Sequence, residues 1–124
     1  MEEIIAYVIL HYNTADDTFA CVDSIRSFSN SPIVIICNGS KNDSDSIVSE
    51  CYRESQGIKV IQSKTNLGYA KGNNIGIKYI RDNNIASIIV CLNNDTLIKD
   101  TQFEFVLKEC YHSSQFAVGG GGCH

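Results

Sequence analysis

The chain has 124 residues, 44% of them hydrophobic and 19% charged, with 10 basic and 14 acidic side chains. That is the composition of one globular domain with enough length to bury a core. The net charge of −4 excludes a general nucleic-acid binder, which needs a basic face, and the longest apolar run, Ile4 to Leu10, falls far short of the about 20 residues of a spanning helix.

Four apolar runs of β type lie at Ile4–Leu10, Ile33–Cys37, Ile58–Gln62 and Ser87–Leu92, with starts 29, 25 and 29 residues apart. A strand, a crossover helix and the next strand take about 30 residues. Runs this apolar are buried on both faces, as in a parallel sheet covered by helices. After the first run, Asn13 or Thr14 is a candidate cap for a helix whose face carries Cys21, Val22, Ile25 and Phe28. A weaker helix is expected over 45–55, ended by Gly57. A third, over 71–83, carries Ile77 and Ile80; a fourth, over 101–111, puts Phe103, Val106, Leu107 and Cys110 on one stripe. Phe116 to Val118 is a candidate fifth strand. The order predicts an α/β, Rossmann-like, doubly wound and mostly parallel sheet over residues 1–118. Residues 119–124 read as a glycine-rich irregular tail, because four consecutive glycines carry a large ordering entropy.

Ligands of open parallel sheets bind beyond the carboxyl ends of the strands. The segment after each run is rich in amides and small residues: His11-Tyr12-Asn13-Thr14, then Asn38-Gly39-Ser40-Lys41-Asn42-Asp43, then 63–74, then Asn93-Asn94-Asp95-Thr96. All four would share one rim. Asp95 at a strand end suits Mg²⁺ or Mn²⁺, which take oxygen ligands and bridge phosphates; an Asx turn explains the same residues without a metal. Gly68, Gly72 and Gly76 at spacing four permit close approach of a phosphate or sugar to a helix N-terminus. A glycine turn followed by a helix-packing glycine explains them equally. Neither the P-loop nor the dinucleotide fingerprint is present. Cys37 lacks the arginine six residues on that a phosphatase loop would carry, Asp43 standing there, and His11, His112 and His124 have no metal-ligand spacing.

Taken together, Val8-Ile9-Leu10-His11-Tyr12-Asn13, 35–40, the run from Asn66 through Lys71-Gly72-Asn73-Asn74 to Gly76, and 92–96 occur in an order and spacing that resemble the family 2 inverting glycosyltransferases of GT-A fold, especially the rhamnosyltransferase-like branch. The resemblance covers about residues 3–118. It implies transfer of a sugar from a nucleoside-diphosphate donor, UDP- or dTDP-linked, to a glycan or lipid-linked acceptor, in polysaccharide or cell-wall synthesis. By it, Tyr12 and Asn13 line the nucleotide pocket, and Asn38 comes directly after the position of a base-contacting Asp, here Cys37. Lys71 and Asn74 border the diphosphate and sugar. Asn93, Asn94 and Asp95 match the DXD-like motif, with Asp95 the ligand of Mg²⁺ or Mn²⁺. Family domains run to more than two hundred residues, and no residue here matches their catalytic base, so the chain is expected to be the donor-binding half and inactive alone.

A second reading, from a different class, is a non-catalytic transferase-like module that binds a partner or forms a homodimer. The Met-Glu-Glu start lacks the basic opening of a secretory signal, which sets the expectation of a cytoplasmic protein, at the inner membrane face or free of it. The six cysteines include no CxxC pair and fall in strand-like and helix-like runs, so free, buried thiols are expected.

Overall fold

The structure, a computed structural model, describes residues 3–114. Strands β1 (Ile5–His11), β2 (Ile33–Asn38), β3 (Ile58–Ser63) and β4 (Ile88–Asn93) alternate with helices α1 (Ala15–Arg26), α2 (Ser44–Tyr52), α3 (Tyr69–Asp82) and α4 (Phe103–Ser114). The strands form one sheet in the order β3-β2-β1-β4, and every pairing is parallel. The expected α/β, doubly wound, Rossmann-like architecture is therefore present. The candidate strand at 116–118, the tail and the boundary at 118 lie outside the described residues.

Side chains alternate across a pleated strand, and β1 shows what that does when both faces are covered. Ile5, Tyr7 and Ile9 pack with Ile33, Ile35, Val90 and Leu92 beneath Cys21, Val22 and Ile25 of α1, Val48 of α2 and Leu107 of α4. Ala6, Val8 and Leu10 face the other way, with Val34, Ile36 and Ile80 of α3. Three helices thus cover one face and α3 the other. The two glycines of α3 that meet the sheet explain how close it comes. A Cβ on Gly72 would lie 2.5 Å from Leu10 Cδ1, and one on Gly76 would lie 2.7 Å from Val8 Cγ1. Gly76 is a helix-packing glycine.

Several local expectations need correction. Thr14 sits at the N-cap position of α1, but its hydroxyl makes no cap bond; it donates to Tyr12 O and accepts from Asn94. Phe28 lies beyond the end of α1, packed against the core from the following turn. Gly57 does not end α2, which stops at Tyr52; with φ +79 it makes the turn into β3. Helix α3 starts two residues earlier than the pattern suggested, directly after Gly68. On α4 the inward stripe is Phe103, Leu107 and Tyr111, while Val106 is 46% exposed and Phe105 63%. The five cysteines within the described residues are free; Cys21 and Cys37 are buried as expected, but Cys51 is exposed because its side of α2 faces solvent.

Candidate functional site

The strand registers bring His11 level with Cys37, Cys37 with Gln62, and Leu10 with Asn93. The loops after all four strands therefore emerge on one rim. The chain winds outward from β1 through β2 to β3, then crosses back to β4 on the other side of β1. This reversal is the topological switch point, where an open α/β sheet forms its crevice.

The loops are tied to one another mainly by asparagine amides. Asn13 holds φ +64, a left-handed conformation that Asn tolerates better than most residues. Its N–H donates to Ser40 Oγ (2.8 Å), its Oδ1 accepts from Lys41 N–H (3.0 Å), and its carbonyl accepts from Asn42 Nδ2 (2.9 Å). Asn94 reaches back from the end of β4, donating to Thr14 Oγ1 (3.0 Å) and Thr14 O (3.2 Å). Asn38, buried at the end of β2, donates to Asn66 Oδ1 (3.2 Å) and accepts from Leu67 N–H (3.0 Å). Asn66 Oδ1 also accepts from Gly68 N–H, shaping the turn into α3. Gly39, at φ +67, lies so close to the third loop that a Cβ there would stand 2.4 Å from Thr65 C. Only glycine fits a left-handed turn pressed against another backbone.

Of the residues singled out in the sequence, the structure joins Asn94 to Tyr12, whose carbonyl its amide reaches (3.5 Å), and to Thr14 on the far side of Asn13. Asn38 joins the second loop to the third. Lys71 and Asn74 are exposed on the first turns of α3, and Asn93 and Asp95 are exposed beside β4. The Cys37 side chain points away from the rim into the core below α1 and α2, and burial pushes its thiol up to about 12. It stays protonated, as a small hydrophobe.

Sequence reading missed the polar cluster beneath the rim. His11 is fully buried, with Nδ1 2.6 Å from Thr18 Oγ1 and Nε2 3.0 Å from Ser44 Oγ and 3.4 Å from Asp45 Oδ1. Burial holds its imidazole below the ordinary value, against the pull of the Asp45 carboxylate. Asp45 accepts from Ser40 twice, from the hydroxyl at Oδ1 and from the N–H at Oδ2 (3.0 Å). The only signal in the sequence is the polar spacing of Ser40, Ser44 and Asp45 around a helix start. Asn73, on the sheet side of α3, is 4% exposed, and its Oδ1 has no hydrogen-bond partner among the described residues.

No group of three or more His, Cys, Asp or Glu able to hold a metal by itself occurs among the described residues. Nor is any helix among them long and apolar enough to cross a membrane.

The fold has solved counterparts. TarS 1-349 from S. aureus aligns with a TM-score of 0.70 at 19% identity, over 90% of this chain and 33% of its own. A longer S. aureus TarS structure aligns at 0.69 and 18% identity, over 88% and 20%. The mannosyltransferase PcManGT from Pyrobaculum calidifontis, in complex with GDP-Man and Mn²⁺, aligns at 0.66 and 15% identity, over 82% and 30%. This chain thus spans a third or less of the length of each. None of the curated proteins matches it significantly. At these identities the likeness shows the fold, a parallel Rossmann-like sheet of the GT-A kind. The family model described as Glycosyl transferase family 2 matches residues 7–121, nearly the whole chain, and with it the chain belongs to that family.

Proposed function

We propose that the rim binds a nucleoside-diphosphate sugar, the donor of a glycosyl transfer to a glycan or lipid-linked acceptor. The observation that carries this reading is the convergence of all four loops at the switch point of a family 2 chain. The complex of the mannosyltransferase neighbour with GDP-Man and Mn²⁺ supports the ligand class. UDP- and dTDP-linked donors stay the first choice for this chain, with GDP added to the trial set by that neighbour.

Tyr12, Lys71, Asn74 and Asn93 face the ligand, whereas Asn13, Asn38 and Asn94 act by holding the loops that carry them. Asp95 is the ion ligand. A single exposed carboxylate fits Mg²⁺ or Mn²⁺, which commonly use one or two carboxylates and complete their shell with substrate phosphates and water. The ion would supply charge neutralisation at the leaving diphosphate. Since the described residues offer no complete metal cluster, Mn²⁺ is expected to bind together with the nucleotide and not before it.

Isothermal titration of UDP, dTDP and GDP, with and without Mn²⁺, tests the reading. The expected result is metal-dependent binding of at least one nucleotide, with Asp95→Ala abolishing the metal dependence. No binding at millimolar ligand under either condition refutes the donor site. Unchanged metal dependence in Asp95→Ala refutes that residue as ligand. The exposed Phe105 and Val106 on α4 favour a second reading, a homodimeric or partner-binding module. A strictly monomeric chain in light scattering at high concentration refutes the homodimer. A cytoplasmic location, at the inner membrane face or free of it, is proposed with this donor.

A further inference from the structure

We propose that His11 is a positioning residue of this rim. Its Nε2–H braces Asp45, and Asp45 through Ser40 fixes the left-handed turn at Asn13. The proposal deepens the nucleotide-site reading and rests on it for its functional consequence.

The chain of contacts is continuous. A carboxylate only accepts hydrogen bonds, so we assign the proton of the neutral ring to Nε2, which meets Ser44 Oγ at 3.0 Å and lies 3.4 Å from the charge of Asp45 Oδ1. Nδ1 then accepts from the Thr18 hydroxyl of α1. Asp45, half-buried and braced from below, receives both the N–H and the hydroxyl of Ser40. That orients the Ser40 Oγ lone pair upward to the N–H of Asn13 (2.8 Å). Asn13 in turn holds Lys41 and Asn42. A left-handed residue other than glycine persists only where its surroundings over-determine it, and here one of the three determining bonds, from Asn13 N–H to Ser40 Oγ, traces back through Asp45 to the buried imidazole. His11 touches no ligand position. It acts through Asp45 and Ser40, at the junction of the first two loops.

The test compares His11→Phe, His11→Gln and His11→Asn with Asp45→Asn, in the full 124-residue chain. Gln can place an amide N–H near the Nε2 position, whereas Asn reaches only the Nδ1 side. The first readout is amide hydrogen exchange by NMR, which needs no ligand. His11→Phe, His11→Asn and Asp45→Asn are expected to speed exchange at Asn13 and Ser40 at least tenfold while Leu67, held by Asn38, stays protected. His11→Gln is expected to remain within threefold of the parent. The ring nitrogen shifts of the parent are expected to report the neutral Nε2–H tautomer. The second readout is binding of UDP, dTDP or GDP with Mn²⁺, expected to weaken about tenfold in His11→Asn and to be restored in His11→Gln. Should His11→Phe not fold, the Gln and Asn variants decide. Equal protection of Asn13 and Ser40 in all variants, rescue by Asn as good as by Gln, or an Nδ1–H tautomer overturns the proposal. If the parent binds none of the nucleotides, the donor reading fails, while the exchange pattern still decides whether His11 positions the rim.

Discussion

The close approach of α3 to the sheet gives the sharpest quantitative prediction. Gly76 sits opposite Val8 on the central strand, where an added Cβ would lie 2.7 Å from Cγ1 and 3.0 Å from Cγ2. Alanine in a helix interior is worth about 1 kcal/mol over glycine, so helix propensity alone predicts that Gly76→Ala stabilises. Packing predicts the reverse. Val8 is β-branched with a stiff χ1, fully buried, and its strand is pinned by β2 on one side and β4 on the other. Neither partner can yield cheaply, so overpacking should take the upper part of its usual range, about 3 kcal/mol. The net expectation is a loss of about 2 kcal/mol, read as a fall of about 8 °C in Tm. Val8→Ala removes two methyl groups and by itself should cost about 2 kcal/mol in transfer and cavity terms. Combined with Gly76→Ala it removes the clash, since of the three atoms nearest the new methyl only the Cβ of residue 8 remains, at an ordinary 3.4 Å. The double variant should therefore be no worse than either single one, a favourable coupling of about 2 kcal/mol or more in a urea-denaturation cycle. Stabilisation by Gly76→Ala alone, or strict additivity, would refute the claim that contact with Val8 sets the position of α3.

Gly39→Ala should lose at least about 3 kcal/mol, because left-handed strain is joined by a 2.4 Å clash with the backbone of Thr65, whereas Gly68→Ala, with nothing within 4 Å, should lose only the strain of about 1–3 kcal/mol. Urea denaturation of the pair separates the two terms, and equal losses would contradict the contact between loops. The folded-state pKa of His11 is lowered, so the unfolded chain binds the extra proton first; the neutral ring's contribution to stability is present above about pH 6.5 and is lost as pH falls through that value. A pH series of melts on the parent and on His11→Gln checks this, and identical slopes would refute it. Glu104 Oε2 accepts from the hydroxyls of Tyr7, Ser29 and Ser31, and Tyr7 is fully buried, so Glu104→Ala should cost about 2–3 kcal/mol. Adding Tyr7→Phe to that variant should recover part of the loss; no recovery would mean that the phenol finds another acceptor.

The architecture was legible because burial leaves its mark on composition. Strands covered on both faces must be apolar throughout, and Ile5–His11 and Ile33–Asn38 are buried at every position. Helix faces were less legible. Phe105 and Val106 are as apolar as Phe103 and Leu107, yet only the latter pair meets the sheet, because which stripe of α4 turns inward depends on the chain's path from β4. The rim was legible as a set of polar loops at strand ends, but not as a lattice. Asn13 and Ser40 are 27 residues apart, and Asn94 and Thr14 are 80 apart. Nothing local in either segment encodes its partner. His11 was illegible for a related reason: a histidine ending an apolar strand reads as a boundary residue until the fold places Thr18, Ser44 and Asp45 around it.

The prevalence of asparagine on this rim reflects the task of its loops. A tie between two loops whose backbones present both N–H and C=O groups is best made by a side chain that donates and accepts. Asn38 does both at once, donating to Asn66 and accepting from Leu67, and Asn42 donates to the carbonyl of Asn13 while accepting from Ser44 N–H. Aspartate could make only the accepting half of each pair and would add a negative charge on the rim. In a chain of net charge −4, that charge would oppose a diphosphate held there. The one carboxylate the lattice does use, on Asp45, lies beneath the loops and spends its lone pairs on Ser40 beside His11. Asp95, by contrast, stands exposed beside β4, where an ion shared with the ligand would neutralise it. Neutral amides that tie the loops, a braced carboxylate below them and the exposed Asp95 beside β4 are the arrangement that the proposed anionic ligand, bringing its own cation, would need.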